Sequence, residues 1–297
     1  MIPPPSAKGT VPFGPYKTWY RVTGDLGADR PAVVVVHGGP GSTHDYLLNL
    51  ASLVDEGWPV VHYDQLGNGG STHLRDRGAD FWTPEVFLDE LANLLAALRV
   101  RRYVLFGQSW GGVLAAAHAA RRPEGLAGLV VADSPASYPT WIEEMAALRR
   151  TLPPAVASAL DRHEVTGDFE HPEYKWATGV FYATHVCRVQ PLPPELTASF
   201  LELGSDPTVY GTMNGPTEFH ITGTLRDFTV EAVLPEIAVP TLVVRGEHDE
   251  VTPAAIAPFH ELVPGARYEE VPGASHLPHL ERPERFRAVL LDFLKGL

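Results

Sequence analysis

The 297-residue chain is 44% hydrophobic and carries a formal charge of -13 at pH 7, which supplies a full core without staples and has the wrong sign for gripping a nucleic-acid backbone. Its one cysteine, Cys187, excludes an intrachain disulfide and suits a reducing compartment. The opening MIPPPSAKGT has no apolar run of signal-peptide length, and no later stretch reaches the roughly 18–20 apolar residues of a spanning helix, so a cytoplasmic protein with no membrane attachment is expected.

In chain order, residues 17–23 alternate as a strand does. Ala32–Val36 (AVVVV) is a short β-branched run suited to a strand buried on both faces of a parallel sheet. Residues 57–63 read as a further strand, and residues 84–98 as a helix whose Phe87, Leu91, Leu94, Leu95 and Leu98 share one face. Residues 102–107 predict a strand, residues 112–120 a helix and Leu126–Ala132 a strand. This alternation is a βαβ pattern, which calls for a mostly parallel sheet with helices on both faces. From Ser134 to about Pro235 the rhythm lapses into amphipathic pieces broken by prolines. Strand signals return at residues 239–245 and Arg267–Val271, and residues 284–294 close the chain as a helix. The expected architecture is therefore an α/β core of residues 1–133 and 236–297, with residues 134–235 inserted as a mainly helical cap. Such a cap would overhang the strand ends, where open α/β sheets bind ligands. Trp141 and Trp176 are expected in the interior of the cap.

The sharpest motif is Gly107-Gln108-Ser109-Trp110-Gly111, a G-x-S-x-G sequence between an apolar strand and an Ala-rich helix. A tight strand-to-helix turn there lifts the serine hydroxyl clear of the sheet, beside the positive end of the helix. Serine needs a base, and of the thirteen histidines His276, in the small-residue loop GASHL at 273–277, has the best context. His248 and His279 are rivals that read as surface or loop residues. The orienting acid should lie between serine and histidine in the chain. Asp249, in GEHDE at 246–250 just past a strand, meets that order, with Asp133 at the end of the preceding sheet strand as its rival. HGGPG at 37–41 follows the AVVVV strand and lets backbone N–H groups approach an oxyanion, which assigns the donors to Gly39 and Trp110. The run lacks the spacing of a nucleotide-binding loop, and His37 reads as a strut of the loop. Metal chemistry is not expected, because HExxH is absent and the histidines share no ligand spacing; no cofactor is expected either. His44, His62, His73, His118, His163 and His171 read as satisfied or solvent-facing.

HGGPG at 37–41, YDQLGNGGS at 63–71, GQSWGG at 107–112, NGPTEFHITG at 214–223, GEHDEVTP at 246–253 and SHL at 275–277 together resemble the proline iminopeptidase family of α/β-hydrolases. That family also takes in tricorn-interacting aminopeptidases and L-amino acid amidases. The resemblance implies Ser109, Asp249 and His276 as the triad, and Glu218 and Glu250 as the acids that bind the substrate's free α-ammonium. Family members commonly carry cysteine and arginine where this chain has Asn68 and Gly70, which bears on the packing of that loop or on the pocket edge. The expected activity is release of an N-terminal proline or a small or hydrophobic residue from peptides or aminoacyl amides through an acyl-enzyme. Alternatives are an L-amino acid amidase or an aminoacyl-amide hydrolase of a specialised metabolite, an esterase on uncharged acyl groups, and a non-catalytic hydrolase-like binding module. The expected partner is a small peptide or aminoacyl amide, not nucleic acid or membrane, and the sequence leaves the oligomeric state open.

Overall fold

A computed structural model describes residues 2–297. Eight strands, β1 (Ala7–Phe13), β2 (Tyr16–Thr23), β3 (Ala32–Val36), β4 (Val60–Asp64), β5 (Tyr103–Gln108), β6 (Leu126–Ala132), β7 (Thr241–Gly246) and β8 (Arg267–Val271), form one sheet in the order β1-β2-β4-β3-β5-β6-β7-β8. The pairings from β4 through β8 are parallel, whereas β1–β2 and β2–β4 are antiparallel. The two-faced burial read from AVVVV has a direct counterpart. Val34 and Val36 enter one apolar cluster and Val33 and Val35 the other, as the two-residue period of a strand requires. On the first face lie α1 (Pro84–Ala97) and α2 (Trp110–Ala120). The opposite face is covered by a 3₁₀ segment, Asp45–Glu56.

Between β6 and β7 the chain leaves the sheet and builds the helical cap from α3 (Tyr138–Arg149), α4 (Pro154–Thr166), α5 (Pro172–His185), α6 (Pro194–Ser205) and α7 (Thr208–Met213). It returns to the sheet at β7, followed by α8 (Pro253–Glu261), which joins the first face, and after β8 by α9 (Pro278–Glu281) and α10 (Pro283–Lys295), the latter packing on the second. Polar ties hold the cap down. Asp206 accepts from Thr208 Oγ1 at 2.7 Å and Arg75 Nε at 3.1 Å, and faces His73 Nδ1 at 2.5 Å.

Two local expectations need correction, and one strand has no signal in the sequence. Residues 57–59 are not strand: Gly57 takes a left-handed conformation, φ 83°, that ends the 3₁₀ segment, and β4 starts at Val60. The strand β1 was not foreseen, because AKGTVPF presents mostly exposed side chains and a broken alternation; it exists by pairing in register with β2. Trp141 is buried in the cap as expected, but Trp176 is 51% exposed and belongs to no core.

The chain runs from β3 to β4 on one side and returns to β5 on the other, so the C-terminal ends of β3 and β5 flank a topological switch point. The two backbones nearly touch there. A Cβ on Gly111, at the start of α2, would sit 2.0 Å from the Val36 carbonyl oxygen. Gly111→Ala is therefore expected to lower unfolding stability by about 2 kcal/mol or more through overpacking, read as a lower urea midpoint with an unchanged slope.

Candidate active site

Ser109 stands between β5 and α2 with φ 55° and ψ −127°, a left-handed backbone that a non-glycine residue holds only under constraint. The constraint is visible. Its N–H donates to Ala132 O at 2.9 Å, and a Cβ on Gly107 would fall 2.2 Å from Gly111 O, so the turn closes only with glycine on both sides. Trp110 is the first residue of α2, and its N–H has no acceptor within the helix.

The β7 strand ends at Gly246 and delivers Asp249, whose Oδ1 lies 2.7 Å from His276 Nδ1 and also accepts from Val251 N–H at 3.0 Å. The Nδ1 proton points at the carboxylate, which leaves Nε2 as the nitrogen for proton transfer. Glu281 frames the histidine from both sides: its Oε1 accepts from Ser275 N–H at 2.9 Å, Ser275 Oγ at 2.7 Å and Leu277 N–H at 3.3 Å. From the cap, His185 O accepts from His276 N–H at 3.2 Å, while His185 Nδ1 donates to His248 O at 3.0 Å. Burial alone would lower the His276 pKa. The charge and hydrogen bond of Asp249, with Glu250 and Asp133 behind it, instead carry it up to about 10.

After β3, Gly39 (φ 111°) turns the HGGPG loop toward the serine. One chain of hydrogen bonds joins this loop to the other two. Gly38 N–H donates to the Tyr46 hydroxyl at 2.7 Å, Tyr46 donates to Gln108 Oε1 at 2.6 Å, and Gln108 Nε2 donates to His276 O at 3.0 Å. A second tie passes through Gln65, which accepts from Trp110 Nε1 at 2.9 Å and donates through Nε2 to His37 O at 2.8 Å. His37 is held neutral by burial, its pKa lowered to about 4. Its Nε2 accepts from Gln65 N–H at 2.9 Å, so Nδ1 carries the proton toward Gly38 O.

Ser109, His276, Gly39, Gln108, Tyr46 and Glu218 line one cleft with Ser42, and the rest of its wall is apolar: Val186, Leu196, Phe200, Leu203 and Leu277. Glu250 is fully buried, 3.8 Å from His276 Nε2, and neither of its oxygens has a hydrogen-bond partner. Burial, with the charges of Glu218 and Asp249, drives its pKa well above the carboxylate range against the pull of His276. Glu218 is also raised, by burial, and lies beside Tyr210. The seven residues named from the sequence thus gather where the loops after β3, β5, β7 and β8 meet the cap, which supplies Glu218.

The rivals fall elsewhere in role. Asp133 is buried behind Asp249, accepts from Gly246 N–H at 3.0 Å, and is pushed well up by burial and by the neighbouring Asp249 charge. His279 is not a surface residue: it is buried, and its Nε2 meets Tyr46 O at 3.0 Å. His248 is part-exposed and contributes its backbone carbonyl. Of the motif positions that depart from the family, Gly70 abuts Trp19. A Cβ there would lie 2.7 Å from the Trp19 ring, so an arginine would require that indole to move.

His44, His62, His73 and His118 each have a polar partner. In the cap, His163, His171 and Glu173 bring ligand-type atoms within 4.8 Å of one another, a proximity that their sequence spacing did not reveal. Their imidazoles stack at 4.1 Å, and Glu173 is already engaged by His163 and Arg162. The sequence reading missed Tyr46, Gln65, Gln108, His185 and Glu281. Only the two glutamines carried a signal, since both sit inside motifs quoted for the resemblance.

Compared with known proteins, residues 31–283 match the family model of the alpha/beta hydrolase fold. A proline iminopeptidase of Saccharolobus solfataricus is 36% identical over 280 residues, spanning 94% of this chain and 88% of that protein. One from Lactobacillus helveticus is 32% identical over 289 residues, 97% of each. Among solved structures, proline iminopeptidase of Mycobacterium smegmatis superposes with a TM-score of 0.92 at 48% identity, covering 98% of each chain. The crystal structure of VinJ superposes with a TM-score of 0.98 at 61% identity, covering 99% of this chain and 100% of that one.

Gln108→Ala removes the middle of the three-loop chain and leaves the His276 carbonyl without its donor. A drop in kcat/KM on the order of 10- to 100-fold is expected, from about 1–3 kcal/mol of lost satisfaction and positioning, while far-UV circular dichroism stays unchanged.

Proposed function

The chain belongs to the proline iminopeptidase branch of the α/β-hydrolases and is a serine hydrolase of the aminopeptidase type, and from that premise we propose the residues by which it releases an N-terminal residue through an acyl-enzyme. Ser109 is the nucleophile, His276 the base and Asp249 the acid that orients it, with Gly39 and Trp110 N–H as oxyanion donors. Glu218 and Glu250 hold the substrate's α-ammonium. The observation that carries this last role is Glu250: a fully buried carboxyl with two unpartnered oxygens, beside the cleft that Ser109 and His276 line. A buried carboxyl without donors is costly, and an ammonium brings three N–H donors and the compensating charge.

In the cycle, the ammonium docks on the two glutamates and thereby fixes how far the scissile carbonyl reaches. Ser109 Oγ attacks that carbonyl while His276 Nε2 takes its proton, and the oxyanion forms against the Gly39 and Trp110 N–H groups. His276 then protonates the leaving amine. Water, deprotonated by the same nitrogen, attacks the ester and releases the amino acid and Ser109. The acid wall behind the amine leaves no room for a longer acyl part, so one residue is removed per encounter.

The preferred residue is proline or a small or hydrophobic one. The apolar wall of Val186, Leu196, Phe200, Leu203 and Leu277 favours a second reading in which the leaving group is an apolar amine, as in an aminoacyl amide. An esterase on uncharged acyl groups would use the same triad and make no use of Glu218 and Glu250. The cap limits are put at residues 134 and 235. A cytoplasmic setting accords with the lone, buried Cys187, and no helix among the described residues is long and apolar enough to cross a membrane.

The test is a panel of L-Pro, L-Ala, L-Leu and L-Phe p-nitroanilides, their N-acetyl counterparts, the free amino acid amides and p-nitrophenyl acetate. Free amines are expected to lead by kcat/KM, and the double variant E218A/E250A to lose on the order of a hundredfold on them without a matching loss on N-acetyl substrates. Equal losses on both series would remove the ammonium-binding role. A fluorophosphonate probe should label the wild type and not S109A; an unlabelled folded wild type would favour a binding module.

A further inference from the structure

Four carboxyl groups, Asp133, Asp249, Glu218 and Glu250, surround the single imidazole of His276. Among the described residues, the titratable side chains next to His276 or to these carboxyls that are shifted by burial lean to their neutral forms. His185 and His279 are shifted toward the neutral form by burial, and the phenols of Tyr46, Tyr138, Tyr182 and Tyr210 are shifted up, toward the protonated form, by burial. No lysine or arginine lines the cleft. Asp249 engages Nδ1, and Glu250 Oε1 lies 3.8 Å from Nε2, the nitrogen that must receive the serine proton.

We propose that the resting site stores one proton on the His276–Glu250 pair and that the substrate's α-ammonium expels it, so that the base is set free only when a charged amine fills the pocket. The inference rests on the ammonium-binding role of Glu250 proposed above. A fully buried carboxylate with no donor on either oxygen is not tolerated beside a neutral imidazole. The pair therefore holds a proton, and the imidazolium form, which Asp249 on Nδ1 also favours, puts it on Nε2. Ser109 then has no ready base. The arriving ammonium supplies one positive charge and donors for the glutamate oxygens, which makes the stored proton redundant and repels it. One proton leaves to solvent, no covalent bond changes, and His276 is left neutral with Nε2 open. Selection of free amines then acts on the chemical step as well as on binding.

The proton is countable. In S109A, titrating L-alaninamide at pH 6.5, where its ammonium is retained (α-amino pKa about 7.7–8.0), in phosphate and in bis-Tris separates the buffer's ionisation heat. Close to one proton released per ligand bound is expected, falling to well under half in S109A/E250Q. Binding with no proton release overturns the inference and leaves the ammonium role standing. Binding of N-acetyl-L-alaninamide as tight as that of the free amide overturns the ammonium role itself. A kinetic signature follows on p-nitrophenyl acetate, which has no charge to expel the proton. E250Q should hydrolyse this ester at least tenfold faster than wild type at pH 7 and shift its pH profile to lower pH, whereas an unmoved rate and profile would overturn the proposal.

Discussion

Everything at the strand ends hangs on a hydrogen-bond chain that no single element contains. The Gly38 N–H, the Tyr46 hydroxyl, the Gln108 amide and the His276 carbonyl follow one another at 2.7, 2.6 and 3.0 Å. They tie the HGGPG loop, the Ser109 turn and the His276 loop into one body. Each loop is anchored to a different part of the sheet, so without this chain their relative positions would follow three independent sets of packing contacts. Catalytic geometry tolerates errors of a fraction of an ångström, and a buried, fully donated chain of amide and phenol groups is a stiff way to supply that tolerance.

The elbow depends on sterics in the same degree. Ser109 holds φ 55° because β5, α2 and the end of β3 meet with no room for a Cβ at Gly107 or Gly111. The motif's two glycines are thus the condition for three backbones to approach, and the strained serine is the consequence. Gln65 repeats the device from the β4 side, linking the indole of Trp110 to the His37 carbonyl.

Against this neutral scaffold the acids are out of balance. Asp133 and Asp249 meet behind the imidazole and Glu250 lies in front of it, all buried and without a lysine or arginine partner. A core of this kind is unstable to full ionisation, which is the ground of the ammonium-binding role proposed for it. The cap adds Glu218 and the tyrosines Tyr138, Tyr182 and Tyr210, and its α5 end clasps His276 and His248 through His185. Under the roles proposed for these residues, recognition and catalysis share one electrostatic balance rather than occupying separate subsites.

The sequence determined by itself what local rules control: the βαβ rhythm, the two-faced burial of AVVVV, the glycine-flanked serine and the chain order of serine, acid and base. Each of these follows from side-chain period or backbone sterics within a few residues. Tertiary structure alone decided what depends on residues far apart in the chain. β1 forms only because β2 is beside it, and His279, which reads as a loop residue, is buried against Tyr46 by a contact spanning 233 positions. Tyr46 has no motif around it, and its role arises from lying 62 residues before Gln108 in sequence and 2.6 Å from it in space. Glu250 is set apart from an exposed glutamate by its full burial and the absence of donors around it. A sequence names the groups a site can use, but burial and partner count belong to the packed molecule, and they fix which groups carry charge.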